Sequence, residues 1–189
     1  MATEIVLVRH GETEWSRDGK HTGQTDVLLT DVGRGQAEAL GSALRGRQFD
    51  RVLTSPRSRA FETARLAGYE AAEKRDELAE WDYGDYEGRT TPEIREERPG
   101  WTLWRDGVPG GETAEQVEAR VDRLLDELRE TDGAVLVFAH GHLLRVLAAR
   151  WLGLQAEAGR LLALDPATLG ILGFERETPV IRVWNAPAG

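Results

Sequence analysis

With 189 residues, 40% of them hydrophobic and 30% charged, the chain can bury one good core and is short for two, so a single domain spanning residues 1–189 is expected. It contains no cysteine, which excludes disulfides, thiol catalysis and cysteine-ligated zinc. Its 33 acidic against 24 basic residues, a net charge of −9, disfavour nucleic acid and anionic membranes as partners, so an anionic substrate must be met by a local arginine cluster.

No apolar run approaches the roughly 20 residues of a bilayer span, and the N-terminus lacks the basic and apolar regions of a secretory signal. A cytoplasmic location is therefore expected. In chain order, Glu4 to Arg9 is rich in Ile, Val and Leu with little alternation, the pattern of a strand covered on both faces. Thr30 suits an N-cap, and Ala37, Leu40, Ala43 and Leu44 recur at helical spacing before Gly46. "DRVLTSP", from Asp50 to Pro56, reads as strand and turn, and a helix follows from Ser58 to about Leu66.

Leu78 to Gly111 is loop-rich, punctuated by glycines and prolines, with Trp81, Trp101 and Trp104 between them. It reads as an insertion over a site, since loops longer than about 12 to 15 residues are uncommon unless functional or disordered, and the tryptophans argue against disorder. Those rings are read as buried anchors rather than as platforms for a ligand. Thr113 with Gln116 makes a capping box, and Val117, Val121, Leu124, Leu125 and Leu128 form the stripe of a helix ending near Thr131, its charged residues read as a solvated face. "AVLVFAHGH" repeats the first strand's exit at a histidine and glycine, and "LLRVLAARWLG" continues as helix. Weak strands at Leu169 to Phe174 and Val180 to Trp184 close the chain.

This alternation predicts a three-layer α/β/α sandwich with a mostly parallel central sheet and helices on both faces. The carboxyl ends of such strands gather the site. There the sequence places Arg9 and His10, Ser55 to Arg59, and His140 to His142, with the acids of "AEWDYGDYEG" close by. Two histidines, two arginines and a carboxylate suit phosphoryl transfer: a neutral imidazole attacks phosphorus, and arginine forks match phosphate oxygens. Helix N-termini after Gly11 and Gly141 would add backbone amides. A glutamate whose pKa is raised by partial burial could protonate the leaving oxygen. The rival reading of His140 and His142 is a metal site, disfavoured because no compact ligand set completes it.

The motifs "RHGETEW" at 9–15, "TSPRSRAFETA" at 54–64, "LAEWDYGDYEG" at 78–88 and "FAHGH" at 138–142 resemble the histidine phosphatase superfamily, also called phosphoglycerate-mutase-like. The resemblance implies that His10 is the phosphorylated nucleophile, Arg9 and Arg59 the phosphate clamps, His140 the second histidine on the transferring group and Glu80 the proton donor, with Asp82, Asp85 and Glu87 close enough to compete. It places Ser16, Thr22, Gly23, Tyr83, Gly141 and His142 at phosphate or substrate contacts. It implies no metal and no cofactor, a small phosphorylated metabolite as substrate, and a homodimer.

Ser16, where mutases usually carry Asn, and His142, where they carry "HGN", point to hydrolysis rather than mutase chemistry. The sequence looks most like a subgroup holding bacterial acid phosphatases and the fungal sedoheptulose-1,7-bisphosphatase. A phosphoglycerate mutase is the alternative, and a catalytically inactive phospho-ligand binding protein the minor one. Arg17, Lys20, His21, Arg89, Arg105 and Arg145 are candidates for a distal phosphate site, and two of them in the pocket would fit a sugar bisphosphate.

Overall fold

The computed structural model of the protein describes residues 2–188. Its elements in chain order are β1 (Ala2–Arg9), α1 (Glu14–Arg17), α2 (Asp31–Ala43), β2 (Arg51–Thr54), α3 (Ser58–Leu66), β3 (Glu73–Lys74), α4 (Thr91–Glu97), α5 (Leu103–Asp106), α6 (Ala114–Glu130), β4 (Gly133–Ala139), α7 (Gly141–Trp151), β5 (Thr168–Glu175) and β6 (Thr178–Pro187). The sheet runs β3-β2-β4-β1-β5-β6. β1, β2, β3 and β4 pair in parallel, and β5 and β6 extend the sheet antiparallel beyond β1.

Strand side chains alternate between two cores, which is why the apolar runs of β1 and β4 show no polar face. Ile5, Leu7, Val135 and Val137 pack with Val121, Leu125 and Leu144 of α6 and α7. Val6, Val8, Leu136 and Phe138 pack with Leu40 of α2 and Ala64 of α3. The three-layer sandwich read from the sequence is the observed one. The expected caps are present: Thr30 accepts from Gly33 N, and Thr113 and Gln116 bond reciprocally at the start of α6.

Two readings need correction. Residues 78–111 are less loop-like than their punctuation suggests, because Pro92 sits in the first turn of α4, where its missing N–H costs nothing, and a Thr90–Glu93 capping box starts that helix. The charged residues of α6 are not simply a solvated face: Arg120 is buried, and Glu118 and Asp122 pair with Arg150 of α7. The tryptophan reading holds for Trp81 and Trp101, both buried with their indole N–H groups donating to the Glu112 and Gly107 carbonyls. Among the described residues, no helix is long and apolar enough to cross a membrane.

Candidate active site

β4 lies between β1 and β2, and the ladder continues one residue past the strands: His10 N donates to Ala139 O and Ser55 N to Phe138 O. Those bonds bring His10, Ser55 and His140 together at one edge. His10 is 4% exposed, and its Nδ1–H donates to the carbonyl of Gly11 at 2.7 Å. With Nδ1 carrying the proton, Nε2 keeps its lone pair. Burial, then Arg59 and Arg9, push the imidazole pKa well below its ordinary value, so the ring is neutral.

The Gly11 that follows admits the close approach of another backbone segment. A Cβ there would lie 2.4 Å from the carbonyl oxygen of Gly33, so β1 exits in backbone contact with the start of α2. Arg9 borders the same cavity as His10. Its Nη1 donates to Leu164 O, and its buried Nε has no hydrogen-bond partner. That N–H is a donor a phosphate oxygen can take.

Arg59 is fully buried at the start of α3. It donates through Nη1 and Nη2 to the carbonyls of Thr25, Thr22 and Gly23 and through Nε to His140 Nδ1 at 3.2 Å. The acceptor role of Nδ1 leaves the His140 proton on Nε2, which donates to Ser55 Oγ at 2.7 Å. Burial and Arg59 lower the His140 pKa well below the usual value. Ser55 as the partner of His140 was not anticipated, because nothing in "TSPRSRA" separates it from a turn serine.

Glu80 is 6% exposed and is the one of the four neighbouring acids that lines the cavity. Its Oε1 accepts from Trp81 N and Leu143 N, and its Oε2 from His142 N. Two of the α7 amides expected to face an anion, those of His142 and Leu143, are thus taken by Glu80. Glu87 instead accepts from Gly23 N and Thr25 N, Asp82 from Gly84 N and Gln24, and Asp85 is exposed.

The cavity, about 270 Å³, is lined by Arg9, His10, Ser16, Gly19, Lys20, His21, Thr22, Glu80, Tyr83, Thr91, Gly141, His142, Arg145 and Leu164. It therefore holds the expected Ser16, Thr22, Tyr83, Gly141 and His142, whereas Gly23 is absent from its wall and spends its N–H on Glu87 and its carbonyl on Arg59. Ser16 completes the cap of α1 with Thr13 while bordering the cavity. Burial and the Glu80 charge push the Tyr83 hydroxyl well above its ordinary pKa, so it donates to His142 Nδ1 at 2.6 Å. Burial and Arg145 hold His142 neutral, and burial lowers His21 to about 4.

Of the six basic candidates for a distal site, Lys20, His21 and Arg145 line the cavity. Arg17, Arg89 and Arg105 instead pair on the surface with Asp18, Glu97 and Asp106. Arg145 donates to Gly159 O at 3.0 Å and stacks 4.7 Å over Trp104. Thr91 and Leu164 were not singled out in the sequence, since neither carries a motif. Among the described residues no group of three or more His, Cys, Asp or Glu is placed to hold a metal ion.

Fold and site together define an α/β protein whose strand ends meet in a histidine- and arginine-bearing pocket suited to a phosphate group. Residues 5–187 match the histidine phosphatase superfamily (branch 1), and the chain belongs to that family. It is 46% identical to an acid phosphatase of Mycobacterium tuberculosis over 177 residues, covering 90% of this chain and 86% of the relative. A sedoheptulose 1,7-bisphosphatase of Saccharomyces cerevisiae is 40% identical over 191 residues, covering 83% and 70%. A solved structure of an open reading frame product from Mycobacterium tuberculosis superposes with a TM-score of 0.95 at 42% identity, covering 100% of both chains. Phosphoglycerate mutases match as well.

Proposed function

We propose that the protein is a cytoplasmic, metal-independent phosphatase that hydrolyses phosphate monoesters of small metabolites through a phosphohistidine on His10. The observation that carries this reading is the Nδ1–H bond from His10 to Gly11 O, which leaves Nε2 of a neutral, buried ring as the nucleophile beside Arg9. Nε2 forms a bond to phosphorus as the ester P–O bond breaks, and Glu80 gives its proton to the departing alkoxide. Oε2 of Glu80 accepts one hydrogen bond and retains a lone pair for that proton. Glu80 then takes a proton from water, whose oxygen attacks phosphorus and releases His10 and inorganic phosphate. Arg9, through its unpartnered Nε–H, takes the equatorial charge. Arg59 acts behind it by holding His140 Nδ1, and His140 Nε2–H turns from Ser55 Oγ to a phosphoryl oxygen when the substrate is bound.

Lys20 and Arg145 in the cavity wall support a substrate with a second anionic group, such as a sugar bisphosphate, and the similarity to a sedoheptulose bisphosphatase supports the same class. A mutase is the second reading, favoured by the mutases among the relatives. Phosphate release from sugar mono- and bisphosphates, phosphoglycerates and p-nitrophenyl phosphate, measured with chelator and beside 2- and 3-phosphoglycerate interconversion, tests both. Rapid chelator-resistant release supports hydrolysis; interconversion without free phosphate establishes a mutase. Labelled phosphate trapped on the wild type and lost in His10→Ala tests the nucleophile and rules out an inactive binding protein.

A further inference from the structure

Arg120 lies on α6 and is 9% exposed, an unusual burial for a guanidinium. All five of its N–H groups are engaged. Nε donates to Glu112 Oε1 at 2.8 Å, Nη1 to Glu77 O at 2.7 Å and Ala79 O at 2.8 Å, and Nη2 to Glu80 O at 3.3 Å and Glu112 Oε2 at 2.9 Å. Glu112 in turn grips the same stretch of chain. Its Oε2 accepts from Asp82 N at 2.9 Å, its N donates to Asp82 O at 3.0 Å, and its carbonyl accepts from Trp81 Nε1 at 2.9 Å.

The segment held in this way, 77–82, has little regular structure of its own: a single 3-10 turn over Asp76–Leu78 and then extended chain. It nevertheless delivers Glu80 to the start of α7, where the carboxylate meets three backbone N–H groups. One residue is therefore fixed twice, by its carbonyl toward α6 and by its carboxylate toward α7. A planar fork with five donors matches this set of acceptors; an ammonium with three does not.

We propose that Arg120, braced by Glu112, is a positioning residue that sets the Glu80 carboxyl for proton transfer to the leaving group. The proposal rests on Glu80 being the acid, and the experiment separates the two. A general acid accelerates departure of a poor leaving group by about 10²- to 10⁴-fold and does little for one that leaves as a stable anion. A brace for that acid must show the same selectivity, whereas mere loss of folded protein lowers turnover of every substrate equally.

The test compares kcat/KM for glycerol phosphate and p-nitrophenyl phosphate in wild type, Arg120→Lys, Glu112→Gln and Glu80→Gln, with folded fraction followed by near-UV circular dichroism. kcat/KM reports the first phosphoryl transfer alone, so a slowed attack by water does not blur the comparison. Arg120→Lys is expected to lose about tenfold or more on glycerol phosphate and less than about threefold on p-nitrophenyl phosphate, with Glu112→Gln showing the same split at smaller size. If Glu80→Gln shows the split and Arg120→Lys, folded, shows none, the brace is overturned while the acid stands. If Glu80→Gln shows no split, both fall. Should Arg120→Lys fail to fold, Glu112→Gln decides: a split supports the brace, and equal losses overturn it.

Discussion

The rings of His10 and His140 meet edge to face, 5.1 Å between centroids and 64° between planes, and burial with the neighbouring arginines lowers both pKa values well below the usual histidine range. A nucleophilic imidazole loses activity only when it is protonated. The acid limb of kcat/KM is therefore expected clearly below pH 6.5, once the substrate's own ionisation is taken into account. A profile for p-nitrophenyl phosphate that falls with a midpoint at or above 6.5 would count against His10 as the neutral nucleophile.

Stability is expected to move the opposite way from this acid tolerance. All four histidines have lowered pKa values in the folded chain. Below about pH 6.5 the unfolded chain binds more protons than the folded one, so stability falls as pH falls through that point. His21, lowered to about 4, contributes on the order of 3 kcal/mol of that loss by pH 4. Glu127, held at about 2 chiefly by Arg75, contributes stability that is present above the ordinary carboxylate range and is lost only as pH falls below it, so the two windows separate. Urea midpoints at pH 7.5, 6 and 5 check the first window, and His21→Phe, packed between Tyr83 and Trp101, should flatten the decline. An unchanged slope in that variant would remove His21 from the account.

Lys20 and Arg145 make a prediction about selectivity. A charged hydrogen bond to an anion is worth about 1.5 to 3 kcal/mol, or roughly 10- to 100-fold in binding. Lys20→Met and Arg145→Met should each raise KM for a sugar bisphosphate by about tenfold or more, and change kcat/KM for p-nitrophenyl phosphate by less than about threefold. Equal losses on both substrates would place these cations elsewhere in the reaction.

The long regular elements and the strand exits were legible because their signals are local: apolar runs in β1 and β4, Thr30 and Thr113 at caps, His-Gly after two strands. What the sequence hid was the partner of each polar group. Two α7 amides, of His142 and Leu143, looked free and are bonded to Glu80; Arg120 looked solvated and holds the segment that carries Glu80. Such partnerships join residues tens of positions apart and leave no periodicity to read. The same distance in sequence separates Ser55 from His140, and Glu87 from the Gly23 turn it anchors.

Two glycines of neighbouring elements should respond oppositely to a single methyl group. At Gly11 a Cβ would stand 2.4 Å from Gly33 O, a backbone atom, so relief requires moving either the β1 exit or the first turn of α2. Such overpacking costs about 1 to 3 kcal/mol. The movement would also shift the Gly11 carbonyl that holds His10 Nδ1, and a displacement of about 1 Å at a reacting group costs on the order of 10²-fold in rate. Gly11→Ala should therefore lower kcat by about tenfold or more as well as the melting temperature. At Gly35, inside α2, a Cβ meets nothing within 4 Å, and replacing a helical glycine by alanine gains about 0.5 to 1 kcal/mol. Gly35→Ala should raise the melting temperature and leave kcat unchanged. Thermal melts and p-nitrophenyl phosphate turnover on both variants check the pair, and a Gly11→Ala protein as stable and active as Gly35→Ala would show that the close approach at the β1 exit does not hold His10 in place.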